Sequence, residues 1–226
     1  MGADLTNNTE TGLQFFGKMT ASITHEIKNA LAIINENAGL LEDLAHMAGR
    51  GAAIEPQRLT KMSQAVMKQV GRADAIVKNM NRLAHSVDES EKTIDLNNML
   101  ELLVALSTRL ATMNGVALQL DLADGPVQLR TAPFFLLNLL WLCLNFAMDA
   151  AGGDKRIEMV TQKTEDATAV TFRGLGGLSG AAPKPFPAAP EKDLCERLGA
   201  ELEIRSGNQA MVVRFAENTR PPLSLD

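Results

Sequence analysis

The chain has 226 residues, of which 46% are hydrophobic and 22% are charged. This composition excludes a disordered protein, and the length allows one ordinary core or two small ones. With 22 Lys and Arg against 27 Asp and Glu, the formal net charge is -5, which argues against general affinity for nucleic acid or anionic lipid. Only 4% of residues are aromatic and none is Tyr, so a stacking platform for bases or sugars is not expected.

The two ends and the cysteines bear on where the protein works. The polar start MGADLTNNTETG has neither the basic nor the apolar region of a signal peptide, and residues 1–12 are predicted to form a flexible tail. Cys143 and Cys195 have no second Cys or His at the spacing of a metal site, so we interpret both as reduced core thiols. These features predict a cytoplasmic protein without a bound structural metal.

Two long helices follow the tail. Apolar residues recur every three or four positions from Leu13 to Ala48, and again from Leu59 to Val87. Gly49-Arg50-Gly51 interrupts the pattern and Glu55-Pro56 restarts it. We therefore predict an antiparallel helical hairpin over residues 13–90. Because such a pair cannot enclose a core alone, we expect a homodimer in which two hairpins form a four-helix bundle.

His25 lies on the first of these helices in the segment THEIKNAL, residues 24–31. Glu26 follows it directly and Asn29 comes one turn later. A neutral imidazole is a good nucleophile toward phosphorus near neutral pH. The segment resembles the phospho-accepting segment of two-component sensor histidine kinases, which reads very like HEIKNPLA, and it differs at Ala30, where that family usually has Pro.

The resemblance implies a role for each matching residue. His25 would be the phosphorylated nucleophile, and Glu26 would orient it and accept its proton. Asn29 could orient a water that hydrolyses a partner's aspartyl phosphate. Exposed residues around His25 would line a docking surface for response-regulator receiver domains: Lys18, Ser22 and Lys28. Without the resemblance, the same residues would be read as an ordinary solvated helix face.

From residue 93 the pattern changes to alternating helices and strands. The predicted elements are a helix from Met99 to Met113, a strand from Val116 to Leu122 with a short partner from Val127 to Arg130, a buried helix over 134–151, strands at Ile157–Gln162 and Ala169–Phe172, a helix at Leu194–Leu198, and a hairpin of Leu202–Arg205 with Met211–Phe215. The apolar stretch 134–151 contains polar Asn138, Asn145 and Asp149, so it reads as a core helix and not as a membrane span.

This order predicts an α/β sandwich over residues 93–217, followed by a tail over 218–226. It resembles the ATP-binding catalytic domain of the same kinases. The expected fold class is thus α+β, with a helical hairpin followed by this sandwich.

The nucleotide-binding motifs of that family are altered. Its Asn-rich box has the form N-L-L-x-N-A, whereas this chain reads WLCLNF from Trp141, so only Asn145 is retained. Its D-x-G-x-G box uses the Asp to bind the adenine amino group, and here Phe172 stands at that position. Neither an indole nor a phenyl ring can replace a carboxamide or a carboxylate as a ligand.

The glycines that remain are a weak phosphate signal. Gly174 and Gly176 match the D-x-G-x-G box, but a glycine turn between a strand and a loop is common. The family's Gly-rich lid should precede the Leu194 helix, where residues 181–190 instead contain four prolines. We expect no ATP binding in the kinase manner, and ATP with magnesium as cofactors only if a divergent site functions.

The leading hypothesis is a histidine phosphotransferase of a phosphorelay, which passes a phosphoryl group between receiver aspartates and His25. One alternative is a histidine kinase with a divergent nucleotide site. Another is a receiver phosphatase that uses Glu26 and Asn29, and a third is a dimeric module that binds receivers without transferring phosphate.

Overall fold

The computed structural model describes residues 2–164, 167–179 and 185–216, with side chains from residue 10 onward. Within these ranges five α-helices and seven β-strands form. The helices are α1 (Gly2–Gly49), α2 (Pro56–His85), α3 (Leu96–Met113), α4 (Pro133–Asp149) and α5 (Ala189–Leu198). The strands are β1 (Lys92–Asp95), β2 (Ala117–Asp121), β3 (Gln128–Thr131), β4 (Arg156–Lys163), β5 (Ala167–Arg173), β6 (Ala200–Arg205) and β7 (Ala210–Ala216).

Residue contacts divide the chain into two compact units. Residues 20–81 form one, called the hairpin unit here, and the described residues among 1–19 and 82–226 form the other, called the α/β unit. The first turns of α1 therefore belong with the α/β unit, although the sequence assigned residues 13–19 to the hairpin. The reason is packing: Phe15 is 2% exposed, and its ring centroid lies 5.7 Å from that of Phe134 in α4.

The flexible tail predicted for residues 1–12 is wrong from residue 2 onward, because α1 already begins at Gly2. Thr11 and Gly12 are buried, and a Cβ built on Gly12 would lie 3.0 Å from the Phe134 ring. The segment was predicted as a tail because it is polar, and its local sequence carries no sign of the packing against Phe134. The predicted tail 218–226 and residues 181–184 of the proline-containing segment 181–190 lie outside the described residues.

In the hairpin unit, α2 runs back along α1 after a turn at residues 50–55. Glu26 and Arg72, 46 positions apart, meet across the two helices. Ala30, Leu44 and Met62 are buried. The predicted helical hairpin is confirmed, with apolar side chains also left at the surface.

In the α/β unit, five strands form a mixed sheet in the order β2-β4-β5-β7-β6. β2 and β4 are parallel and every other pair is antiparallel. Helices α3, α4 and α5 contact the sheet. Alternate side chains of the central strands are fully buried, as expected for one face of a sheet packed on helices: Ile157, Met159, Val170, Phe172, Met211 and Val213.

The apolar stretch forms the central core helix, as predicted. α4 begins with Pro133 at its first turn, a position where the missing N–H costs no hydrogen bond. Leu136, Leu140 and Leu144 have no exposed surface. Among the helices that the structure describes, none combines the length and the apolarity needed to cross a membrane.

The predicted pairing of the strand at 127–130 with the strand at 116–122 is wrong. β3 pairs with β1 in a separate antiparallel ribbon, while β2 lies parallel to β4. The side-chain amide of Asn97 donates to the carbonyls of Ala123 (3.1 Å) and Gly125 (3.0 Å) in the β2–β3 loop. These bonds hold the loop against the start of α3, beside β1, with which β3 pairs.

The buried thiols give the first testable prediction. Burial raises the pKa of the Cys195 thiol to about 11, with nearby Glu191 adding to the effect, and burial raises the pKa of Cys143 well above its ordinary value. A raised pKa keeps the thiol protonated until the pH approaches that value. At pH 8 we expect native protein to react with iodoacetamide at less than about one hundredth of the rate of free cysteine. Mass spectrometry would follow the alkylation, with urea-unfolded protein as the control; complete modification of native protein within minutes would contradict the prediction.

Candidate functional site

His25 lies within α1 with its side chain exposed. It makes no hydrogen bond or ion pair to any residue in the described part of the chain. Asn29 is exposed one turn further on, and residues four apart on a helix share a face. Lys28 is also exposed. The imidazole is thus accessible to a large partner, with an amide on the same face.

Glu26 is turned about 100° from His25 around the helix, toward the buried side of α1. Its side chain is only 17% exposed, and its Oε2 accepts a hydrogen bond from Arg72 Nη2 of α2 at 3.2 Å. The predicted acid neighbour of His25 is therefore already held by an arginine from the other helix. Its second carboxylate oxygen has no partner among the described residues.

Ser22 was predicted to be exposed and to contact a partner, and this is wrong. It is 2% exposed, and Met19 and Ile23 beside it are equally buried. The spacing from Met19 to Ser22 to Glu26 places all three on one face, so Ser22 follows the buried side of the helix and not the side of His25. A docking role for Ser22 is not compatible with that burial.

Lys18 belongs to the α/β unit, where its ammonium lies 5.1 Å from the centre of the Trp141 ring. A cation at this distance from an indole face is attracted by the ring quadrupole. Trp141 is 3% exposed. The position where the resemblance calls for the first Asn of the nucleotide box is thus filled by a buried indole covered by a lysine.

Asn145 is half-buried on α4, one residue before Phe146. The Phe146 ring stacks on Phe186, with centroids 4.1 Å apart and planes 8° apart. Phe186 lies in the proline-containing segment before α5, where the resemblance implies a Gly-rich lid. Asn145 is therefore flanked by an aromatic pair, and no further ligand for a cation lies at the Trp141 position.

Phe172 has no exposed surface. It lies in the middle of the sheet, opposite Met159 on β4 and Met211 on β7, which are also fully buried. Its side chain belongs to the core and offers no acceptor for a base. The residues present at the two key positions, Trp141 and Phe172, do not fit ATP bound with magnesium in the kinase manner.

The two matching glycines have a structural explanation. Gly174 has φ +92°, and a Cβ there would collide with the carbonyl oxygen of Arg156. A Cβ on Gly176 would lie 2.9 Å from the Cα of Gly152. Gly152 N donates to Gly174 O at 2.9 Å, so the loop after β5 packs backbone to backbone against the turn after α4. The close approach explains glycine at both positions, and the positive φ of Gly174 is a second reason there.

Comparisons with known proteins agree with the motif. Over 141 residues the chain is 28% identical to the sensor protein kinase PilS of Pseudomonas aeruginosa, in an alignment that covers 60% of this chain and 25% of PilS. The chain resembles a histidine kinase core. This match confirms the resemblance drawn from the HExxN segment, and it spans about a quarter of the length of PilS. No protein-family profile matches the sequence.

Solved structures show a more distant likeness of fold. One is the Acinetobacter baumannii histidine kinase AdeS, with a TM-score of 0.47, 10% identity, and coverage of 86% of this chain and 98% of that one. Another is described as a bacterial phosphotransferase, with a TM-score of 0.46, 17% identity, and coverage of 91% and 96%. At these scores the likeness says nothing about function.

Sequence reasoning missed the side chains that come from distant parts of the chain. Arg72 lies in an ordinary amphipathic stretch, and nothing in its neighbours singles it out. The turn at residues 50–55 places Glu26 opposite the second half of α2, which holds several cations, so only the structure selects Arg72. The contact between Lys18 and Trp141 and the stacking of Phe186 on Phe146 likewise have no local sequence signal.

Proposed function

We propose that this protein is a histidine phosphotransferase that accepts a phosphoryl group from the aspartate of one receiver domain on His25 and passes it to another, without using ATP. The observation that carries the proposal is a contrast between the segment around His25 and the positions of the nucleotide-binding motifs. His25 is exposed beside Glu26 and Asn29, whereas buried aromatic rings, Trp141 and Phe172, occupy the positions where a kinase needs an amide and a carboxylate.

The transfer reaction requires little of this chain beyond the correct placement of His25. A neutral nitrogen of His25 attacks the phosphorus of the receiver's acyl phosphate, the bond from phosphorus to the aspartate oxygen breaks, and the aspartate leaves as a carboxylate. The proton on the other ring nitrogen is then held by a hydrogen bond to Glu26. Receivers supply their own magnesium and acidic pocket, so positioning is the main contribution of the helix. Lys28, exposed beside His25, would contact the receiver.

Lys18, which the sequence also assigned to docking, is exposed, but its ammonium already lies over Trp141. A partner that used it would have to compete with that cation–π contact. We therefore propose Lys28 and Asn29, and not Lys18 or Ser22, as the polar contacts beside His25.

The second part of the proposal is a homodimer. Leu59, Val70 and Val77 are 38%, 47% and 43% exposed, and their spacing of eleven and seven residues places them on one face of α2. An apolar face of this length on a two-helix unit is covered most economically by a second copy, in the four-helix arrangement.

We predict that Val70→Glu combined with Val77→Glu converts a dimer to a monomer. Each valine buried on association contributes roughly 1.5 kcal/mol, so losing both should raise the dissociation constant by at least about a hundredfold. Sedimentation velocity at micromolar concentration would measure the change. Lys68→Glu, on the opposite face of α2, is the matched control and should remain dimeric. A wild-type monomer, or a dimer that survives both substitutions, would contradict the prediction.

The test of function is a labelling experiment with two donors. The purified protein is mixed with a panel of receiver domains charged with labelled acetyl phosphate and, separately, with γ-labelled ATP and magnesium. Label on His25 from a receiver, and none from ATP, supports the phosphotransferase. Label from ATP would favour a kinase with a divergent site, and label from neither donor would favour a module that binds receivers without chemistry.

A further inference from the structure

Arg72 makes the ion pair that joins the two helices of the hairpin unit. The other ion pairs described within residues 20–81 are local ones, between His46 and Glu42 on α1 and between Lys78 and Asp74 on α2. Arg72 Nη2 lies 3.2 Å from Glu26 Oε2, and the two side chains are 47% and 17% exposed. The long-range partner of Glu26 is thus an arginine anchored 46 residues away on α2.

Glu26 is mostly buried, whereas the side chain of Arg72 is about half exposed. Partly exposed ion pairs add little to stability, so holding the fold together is a poor explanation for the arginine. A glutamate side chain has several rotamers, and on the buried side of α1 it could turn along the hairpin as readily as toward His25. The planar guanidinium fixes one carboxylate oxygen in a defined direction and leaves the other free.

We propose that Arg72 is a positioning residue for the phosphoryl transfer at His25: it holds Glu26 Oε2 so that Oε1 can accept the hydrogen bond from the second nitrogen of the imidazole. This inference rests on the proposed function. When His25 nitrogen bonds to phosphorus and the receiver's aspartate departs with the electrons of the broken P–O bond, the ring keeps its proton on the other nitrogen. The positive ring is stabilised by the carboxylate that Arg72 holds in place, and no oxidant or further reactant is needed.

The arginine should act through Glu26 and not through the receiver. Its contact is with the carboxylate, and its contribution should vanish once that carboxylate is gone. The effects of substituting Arg72 and Glu26 on the transfer rate should then not be additive. A purely structural role of Arg72, or a separate contact of Arg72 with the receiver, would give additive effects.

The experiment measures single-turnover formation of phosphohistidine on the 226-residue protein, using the receiver from the panel that transfers fastest to wild type. We expect Arg72→Met to lower the rate constant about tenfold with the receiver's dissociation constant unchanged, and Arg72→Lys to restore part of the loss. Glu26→Gln should cost about a hundredfold, and the double variant should be no slower than Glu26→Gln. Lys61→Met is the matched control, since Lys61 is exposed on the same face of α2 three turns away and makes no described ion pair.

The outcomes separate the two levels of the proposal. A wild-type rate for Arg72→Met, a loss confined to receiver affinity, or additive losses in the double variant would overturn the role of Arg72 while leaving the phosphotransferase in place. Absence of any phosphohistidine on wild type would overturn the proposed function, and the role of Arg72 with it. Circular dichroism and thermal melting of each variant ensure that rates are compared between folded proteins.

Discussion

Replacing His25 by glutamine is expected to abolish phosphoryl uptake from a phosphorylated receiver, with a loss of at least about a thousandfold, because removing the nucleophile of a covalent mechanism leaves only the effect of binding. Glutamine is a good helix former of similar size, and the site is exposed, so the fold and receiver binding should be unchanged. The measurement is the transfer of label from receiver to protein, followed by gel electrophoresis at alkaline pH, where a phosphoramidate survives.

The matched control for this substitution is His46→Gln. His46 is exposed on the same helix and has Glu42 4.0 Å away, as an ordinary surface histidine would. The His46→Gln variant should accept label at the wild-type rate. Label that persists on His25→Gln would place the phosphoryl group elsewhere, as would label on wild type that survives acid the way a serine or threonine phosphate ester does. Either result would remove the basis of the phosphotransferase proposal.

The features that could be predicted from sequence are those written in local patterns. The long helices follow from apolar spacing, the core helix α4 from a stretch that begins at Pro133 and ends near Gly152, and the β6–β7 hairpin from two alternating segments around Gly207. The HExxN segment is equally local, since its residues lie within five positions. Such patterns report the conformation of the segment that contains them.

What could not be predicted depends on partners distant in sequence. The pairing of β3 with β1 goes together with hydrogen bonds from Asn97 to Ala123 and Gly125 in the loop before β3, and strand alternation carries no information about such distant contacts. Near the start of α1, Phe15 packs against Phe134 of α4, a contact between residues far apart in the sequence. The burial of Ser22 is a finer failure, because a shift of one residue in the predicted face of a helix moves a side chain by 100°.

The altered nucleotide motif shows how local and distant information combine. The sequence alone shows that Trp141 and Phe172 replace polar ligands. The structure adds that both side chains are packed in other contacts: Trp141 lies under Lys18, and Phe172 lies between two buried methionines. It also shows that Gly174 and Gly176 are needed for backbone packing. Restoring single polar residues would therefore conflict with the present packing.

Phe172→Asp, which restores the acid of the family's motif, is accordingly expected to destabilise the protein and not to create a nucleotide site. The substitution removes a fully buried ring from between Met159 and Met211 and puts a carboxylate in its place. Loss of a buried phenyl ring alone costs about 3–5 kcal/mol, and an unpaired buried carboxylate adds to this. For a chain of this length the expected fall in melting temperature is roughly 10 °C or more.

Differential scanning fluorimetry with and without ATP and magnesium tests both halves of this prediction. Phe172→Leu, which keeps an apolar side chain, is the control and should lose only a small part of the stability, while neither variant nor wild type should be stabilised by nucleotide. A Phe172→Asp protein that melts like wild type and gains stability with ATP would mean that the strand position faces a usable site. Even this result would leave the magnesium ligand missing, because Trp141 would still lie at the position of the first Asn. A second substitution, at Trp141, would be needed before phosphoryl transfer from ATP could be expected.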